Sequence, residues 1–168
     1  MIQSANVVDA KLALSHLDVE EKQTAITSAS RDFFWYSPVL KSRLDHLVAD
    51  FLVRPKDEAE VIEILKVCYA HDVPVTTRGA GTGNYGQAMP MRGGCVLHLK
   101  HMDKVTHCEP GRVIVQPGCL LKDVDAYCIP ACGHELRMFS STWATATIGG
   151  FIAGGSGGVG SVTWGSLR

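Results

Sequence analysis

Glycine is missing from the first 78 residues, although the chain of 168 residues carries 17 of them. Any excess of one charge is missing too: sixteen basic residues face seventeen acidic ones, a net charge of -1. That balance supplies no electrostatic footprint for a nucleic-acid backbone or an anionic membrane, so no nucleic-acid partner is expected. Nowhere do 18 apolar residues follow one another, and the N-terminus has no basic stretch ahead of an apolar run. Neither a transmembrane segment nor a secretory signal is expected, and the chain reads as cytoplasmic. The six cysteines, at 68, 95, 108, 119, 128 and 132, are accordingly read as reduced thiols. Internal repeats are absent, and the length admits one ordinary domain or two small subdomains.

What is present supports a folded core, since 46% of the residues are apolar and only 20% charged. Up to residue 54 the pattern is mostly helical, with a capping box at Asp18 and Glu21 ahead of Ile26 and a break at Ser37-Pro38. Pro55 then precedes Asp57-Glu58-Ala59-Glu60, a second capping box. Val61, Ile62, Leu65, Cys68 and Tyr69 follow at helical spacing as far as His71. Short strands at Val53 and residues 73–76 flank that helix, which predicts a βαβ unit over residues 51–77 with a parallel pair. Residues 95–99 and 113–116 read as further strands and 120–128 as a short helix. Beyond Phe139 the chain turns to Ser, Thr, Ala and Gly.

The glycines gather in two places, six between Gly79 and Gly94 and eight between Gly149 and Gly165. Such density implies positive φ or a close approach of backbone to something else. In the first cluster Gly81-Thr82-Gly83-Asn84-Tyr85-Gly86 is a literal G-x-G-x-x-G, with Asp103 near the distance of a ribose-binding acid. A dinucleotide fingerprint, however, needs a helix opening onto the pyrophosphate. Gly86 is instead followed by a short run holding Pro90, Gly93 and Gly94 before the next strand. No Gly-Lys-Ser or Gly-Lys-Thr marks a P-loop either. The stretch from Arg78 to Gln87 is left as an extended loop. It is either a nest of main-chain amides for anionic oxygens, with side-chain donors from Thr82 and Asn84, or a strained structural turn.

The second cluster brings hydroxyls at Ser141, Thr142, Thr145 and Thr147, an apolar contact at Ile148 and the pair Gly149-Gly150. Two such segments, about 60 residues apart, can grip one elongated diphosphate ligand from both sides, each through helix-free amides. Other chemistry is weaker. Cys128-x-x-x-Cys132-x-His134, with His107-Cys108 elsewhere, suggests zinc, but no second paired-cysteine motif exists and ordinary half-buried thiols are expected instead of a metal. Ser156 lacks the strand–turn–helix setting of a hydrolase nucleophile. His71, His98 and His101 receive no catalytic role, and at least two of Trp35, Trp143 and Trp164 are expected in the core.

Five motifs, in order and at matching spacing over about residues 44–168, resemble a known family. They are VRPKDEAEVIEIL, VPVTTRGAGTGNYGQAMP, GGCVLHL, VIVQPG and ATIGGFIAGGSGGVGSVTWGSLR. The chain is similar to flavoprotein oxidoreductases of the vanillyl-alcohol oxidase type, whose FAD-binding domain is shared with p-cresol methylhydroxylase. Within them it looks like the FAD subunits of glycolate oxidase and D-lactate dehydrogenase. The resemblance implies an α+β fold of two subdomains, a small βαβ unit and a mixed or antiparallel sheet unit, with FAD held between them. A helical segment over residues 1–43 precedes this domain over 44–168.

By the same resemblance, FAD pyrophosphate lies on Arg78, Gly79, Ala80, Gly81, Thr82, Gly83, Asn84, Gly86 and Gln87. A second grip comes from Pro117, Gly118, Ser141, Thr142, Thr145, Thr147, Ile148, Gly149 and Gly150. Thr82 stands where some relatives carry a flavin-linking histidine, so dissociable FAD is implied. Asn84-Tyr85-Gly86 replaces the usual Gly-Leu-Ser or Gly-Leu-Thr. The implied activity is oxidation of a small hydroxy acid or alcohol by hydride transfer to flavin N5, with a partner electron-transfer subunit. The alternative is a non-catalytic flavin- or nucleotide-binding polypeptide, or an electron-transfer subunit. The family continues past Arg168 into a substrate domain, so the chain is expected to be the N-terminal part of such an enzyme, without its catalytic residues.

Overall fold

Two short apolar runs, Phe51-Leu52-Val53 and Cys95-Val96-Leu97, are buried at every position. Continuous burial is the mark of strands covered on both faces, and it sets the architecture of the first of two compact units, Met1–His101 and Met102–Arg168. The computed structural model describes residues 5–165. The last three residues of the fifth family motif, 166–168, therefore lie outside the described residues.

In the first unit the elements are α1 (Ala5–Ala13), β1 (Val19–Glu20), α2 (Gln23–Ala29), a 3-10 turn (Phe33–Tyr36), α3 (Pro38–Leu44), β2 (Phe51–Val53), α4 (Glu58–Ala70), β3 (Val75–Arg78) and β4 (Cys95–His98). The strands form one sheet in the order β1-β2-β4-β3, parallel except for the antiparallel β1. Side chains alternate across it. Phe51, Val53, Cys95 and Leu97 pack with Val7 of α1, Leu14 just after it, and Ile64 and Cys68 of α4, while Leu52 and Val96 meet Ile26 and Ala29 of α2 on the other face. The expected βαβ unit is present, but β2 and β3 are not neighbours: β4 lies between them. β4, with its buried apolar triplet Cys95-Val96-Leu97, takes a central place, and β3, with Thr76 and Thr77, takes the edge.

Local signals explain most helix starts. Asp57 Oδ1 accepts from Glu60 N at 2.9 Å and Ser37 caps α3 ahead of Pro38. The reciprocal arm of the Asp57 box is displaced by one residue, because Glu60 Oε2 accepts from Lys56 N. The capping box expected at Asp18 and Glu21 does not form. Asp18 instead pairs with Arg54 at 3.2 Å, residues 19–20 become the edge strand, and α2 starts after Lys22 without a side-chain cap. Gly94 opens β4 at φ +75, and a Cβ there would stand 2.2 Å from the Pro74 carbonyl oxygen. That carbonyl accepts from Cys95 N, so it cannot move aside without breaking the sheet.

The second unit begins with a hairpin of β5 (Val105–Glu109) and β6 (Arg112–Val115), turned through Gly111 at φ +83. Helix α5 (Leu121–Cys132) packs on β5 and ends at Gly133 in the left-handed conformation; α6 (Ile148–Ala153) and α7 (Ser161–Trp164) follow. Helix α5 runs past the expected end at Cys128 to Cys132, with Pro130 inside its last turn, and stops at the left-handed Gly133. All three tryptophans are exposed, contrary to the expectation of burial. Trp35 tilts against Phe33, Trp143 donates its indole N–H to Asp125 at 2.8 Å, and Trp164 lies under the Arg137 guanidinium. Each indole has a surface partner that a core could not offer.

His98 and Arg78 end β4 and β3 side by side in the parallel register. Burial, and after it the positive charge of Arg78, holds the His98 imidazole down at about 4. The folded chain therefore binds fewer protons than the unfolded chain between about pH 4 and the ordinary histidine range near 6.5, so His98 removes stability as pH falls through that window. His98→Gln should flatten this loss, and equilibrium unfolding at several pH values measures it. Gly94→Ala should destabilise by about 3 kcal/mol, whereas Gly111→Ala, with open space around it, should show only the left-handed penalty of about 1–2 kcal/mol in the same melts.

Candidate functional site

The candidate site in the first unit is built on Arg78, the last residue of β3, only 9% exposed. Its Nη1 donates to the carbonyl of Ala29 at 2.9 Å and to that of Arg31. Burial lowers its proton affinity, and the nearby Asp32 carboxylate works the other way. The guanidinium lies directly beneath Gly81: at φ +71, a Cβ on that residue would stand 2.1 Å from Nη2. A glycine is therefore required there on two counts, backbone sign and space.

A second anchor comes from Asp32, 4% exposed. Its Oδ1 accepts from Phe34 N at 2.8 Å and its Oδ2 from Gly86 N at 2.9 Å, while Phe33 N donates to Gly83 O at 2.8 Å. Residues 29–34 thus clamp the loop at its floor and far end. Sequence reasoning missed Asp32, which it placed in a segment apart from the cofactor domain. The available signal was an Asp ahead of an aromatic run, a helix-capping pattern.

Between the anchors, the main-chain amides of Ala80, Gly81, Thr82, Gly83 and Asn84 donate to no acceptor among the described residues. Residues 80–83 are half-buried and Asn84 is exposed. No helix follows Gly86, as expected for a nest and not for a dinucleotide fingerprint. Gln87 turns its Oε1 back towards the loop, where Tyr85 N donates to it at 3.4 Å. A cavity of about 620 Å³ opens beside the first half of the loop, with Thr24, Thr27, Arg31 and Asp32 on its wall. Arg31 Nε is buried and has no hydrogen-bond partner among the described residues.

In the second unit, Pro117 and Gly149 are in direct contact: a Cβ on Gly149 would stand 2.7 Å from the Pro117 Cβ and carbonyl oxygen. The amides of Ile148, Gly149 and Gly150 donate to Cys119 O, Pro117 O and Thr147 Oγ1 at 2.8, 2.9 and 3.3 Å. Gly118 N donates to Met102 O. The expectation of helix-free amides at this second place is corrected, because residues 148–150 are the first turn of α6 and their N–H groups are engaged internally. Thr147 is buried as the helix cap, and Thr145 Oγ1 bonds the Thr142 carbonyl. The amides of Ser141, Thr142 and the buried Thr147 donate to no acceptor among the described residues, although Thr142 Oγ1 meets Ser140 Oγ at 3.0 Å.

Glycine loops with undonated amides suit an anionic cofactor, and comparison with known proteins identifies which. A family model described as FAD binding domain matches residues 49–168. The chain is 32% identical over 121 residues to glycolate oxidase subunit GlcD of Bacillus subtilis (strain 168), covering 71% of this chain and 26% of that protein. It is 37% identical over 119 residues to a D-lactate dehydrogenase of Archaeoglobus fulgidus, covering 70% of this chain and 26% of that protein. The chain thus spans about a quarter of the length of these relatives. Among solved structures, an alkyldihydroxyacetonephosphate synthase superposes with a TM-score of 0.82 at 18% identity, over 98% of this chain and 31% of that one, a likeness of fold. The α+β class and the branch expected from the motifs are borne out. No helix among the described residues is long and apolar enough to cross a membrane. The chain belongs to the FAD-binding domain family of FAD-linked oxidoreductases, and its cofactor is FAD.

Proposed function

We propose that this chain holds FAD for the oxidation of a small 2-hydroxy acid, with the cofactor's pyrophosphate on the loop from Arg78 to Gln87. One observation carries the reading: five successive amides, residues 80–84, have no acceptor among the described residues while both sides of the loop are tied down. Such a nest is pre-organised, so little ordering accompanies anion binding. Arg78 acts as a positioning residue. Its guanidinium is bonded to carbonyls below the loop and fixes Gly81, leaving the amides to meet phosphate oxygens. Thr82 and Asn84 add side-chain donors at the rim.

In the second unit, Ser141 and Thr142 supply amide and hydroxyl donors, and Ile148 with Gly149 and Pro117 supplies apolar and backbone surface. Thr82 has no ring nitrogen to attach to flavin, so the cofactor is dissociable. Bound FAD supplies a two-electron acceptor for hydride from the carbon bearing the substrate hydroxyl. The substrate class is supported by the names of the relatives, since glycolate and D-lactate are both small 2-hydroxy acids. The same reading places the chain in the cytoplasm, with its thiols reduced.

Titrating FAD into the full chain should show saturable binding at about one flavin per chain, with all flavin released on acid precipitation. Gly81→Ala should weaken binding about tenfold, the equivalent of the left-handed penalty of about 1–2 kcal/mol. A folded wild-type chain that takes up no flavin, or a Gly81→Ala chain that binds equally well, overturns the loop assignment. Bleaching of the visible band when glycolate or D-lactate is added anaerobically to the flavin-loaded protein supports the oxidation reading; a band that neither acid bleaches favours the non-catalytic flavin-binding alternative and leaves the cofactor site standing.

A further inference from the structure

In the second unit, away from Pro117 and α6 in sequence, three cysteines converge. Cys108 lies on β5 opposite Val113, and Cys128 and Cys132 lie four residues apart on α5, hence on one helix face. Their three Sγ atoms all fall within 4.8 Å of one another. Cys128 is buried, and Cys108 and Cys132 are half-buried at the edge of a cavity of about 340 Å³. Cys108 and Cys132 are the closest pair, at 2.6 Å. The sulfurs thus meet from two elements held together by the core of Val105, Val113 and Val124.

His134 lines the same cavity. Its Nδ1 is 2.9 Å from the Cys132 carbonyl oxygen, which can only accept, so in the neutral ring Nδ1 carries the proton and Nε2 keeps its lone pair. An imidazole oriented by a backbone carbonyl in this way has the tautomer that a metal-binding histidine needs. Arg112 and Arg137 also line the cavity.

We propose that Cys108, Cys128 and Cys132 form a binding site for a soft divalent cation of the zinc class, with its fourth position open to the cavity and to His134. Three thiols lose three protons and a divalent cation enters, so the complex carries one negative charge, in a cavity whose wall holds Arg112 and Arg137 together with Glu109, Asp125 and Glu135. Three sulfurs with one nitrogen or solvent oxygen is a donor set that zinc takes in tetrahedral geometry, at Zn–S distances of about 2.3 Å. Tetrahedral sulfurs at that bond length stand about 3.8 Å apart, so metal entry widens the Cys108–Cys132 contact, a movement within reach of side-chain rotation. The bound ion would tie β5 to the C-terminal turn of α5. The site is independent of flavin binding, and its test reads metal.

The full chain, reduced, stripped with chelator and equilibrated with zinc, should retain about one zinc per chain after desalting. Cadmium in its place should give a thiolate-to-metal charge-transfer absorption. Cys128→Ser and Cys132→Ser should each weaken retention at least about tenfold, and His134→Ala less, while His107→Ala, beside Cys108 but ion-paired with Glu109, should retain the metal. Wild-type protein that retains no zinc while all six thiols remain titratable overturns the proposal. So does zinc held equally by every cysteine variant, or a Cys108–Cys132 disulfide formed under the same reducing conditions in place of metal binding.

Discussion

The first unit turns on a buried cation. Arg78 is withdrawn from solvent, and a guanidinium in that position is tolerated only when its donors are matched. Two carbonyls from the end of α2 and the segment after it provide the match, with the Asp32 carboxylate close enough to favour the charge. From that arrangement two features follow: the chain before β2 is fixed against the end of β3, and Gly81 stands at positive φ over the guanidinium. His98, across the parallel register, is kept neutral at ordinary pH first by its own burial and then by the Arg78 charge. The region matched to the FAD-binding family begins at residue 49, yet both anchors of the glycine loop reach back to residues 29–34. The end of α2 and the segment after it are structurally part of that loop's support.

The two glycine-rich segments solve different problems. In the first, glycine leaves amides undonated between fixed ends. In the second, the amides of residues 148–150 are engaged, and Gly149 is small because Pro117 presses against it. A helix start leaves N–H donors in its first turn that need acceptors, and Cys119 O, Pro117 O and Thr147 Oγ1 take all three. What the second segment presents outward is therefore shape more than hydrogen bonding, with Ser141 and Thr142 as the exception.

Much of the fold is legible in the sequence because its signals are local. Asp57 before an apolar 3.6-residue period gives α4, Ser37-Pro38 gives α3, and two apolar triplets give the central strands. Strand β5 is not legible: Val105-Thr106-His107-Cys108-Glu109 is mostly exposed and polar, and only its pairing with β6 makes it a strand. Helix α6 is hidden for the opposite reason, since Ile-Gly-Gly has poor helix propensity and is held by its cap and by Pro117. The strand order escapes because β4, last in sequence, inserts between two strands already joined by a helix. In the site, the glycine loop can be read by spacing, but Asp32 cannot. It lies 54 residues from the amide of Gly86 that it accepts from, and only the folded sheet brings them together.

The electrostatics of the loop decide how it can recognise an anion. The charge of Arg78 is opposed by Asp32 beneath the same residues, and His98 adds none at neutral pH. The floor is therefore close to neutral, and a diphosphate gains little from net charge at a distance. Attraction has to come from amide dipoles at hydrogen-bond range, which act only when the phosphate oxygens sit in the nest. Such recognition depends on loop shape, and here shape depends on one glycine resting on one guanidinium. A balanced sequence charge and an anion-binding loop are thus compatible, because the binding groups are backbone dipoles that no count of charged side chains registers.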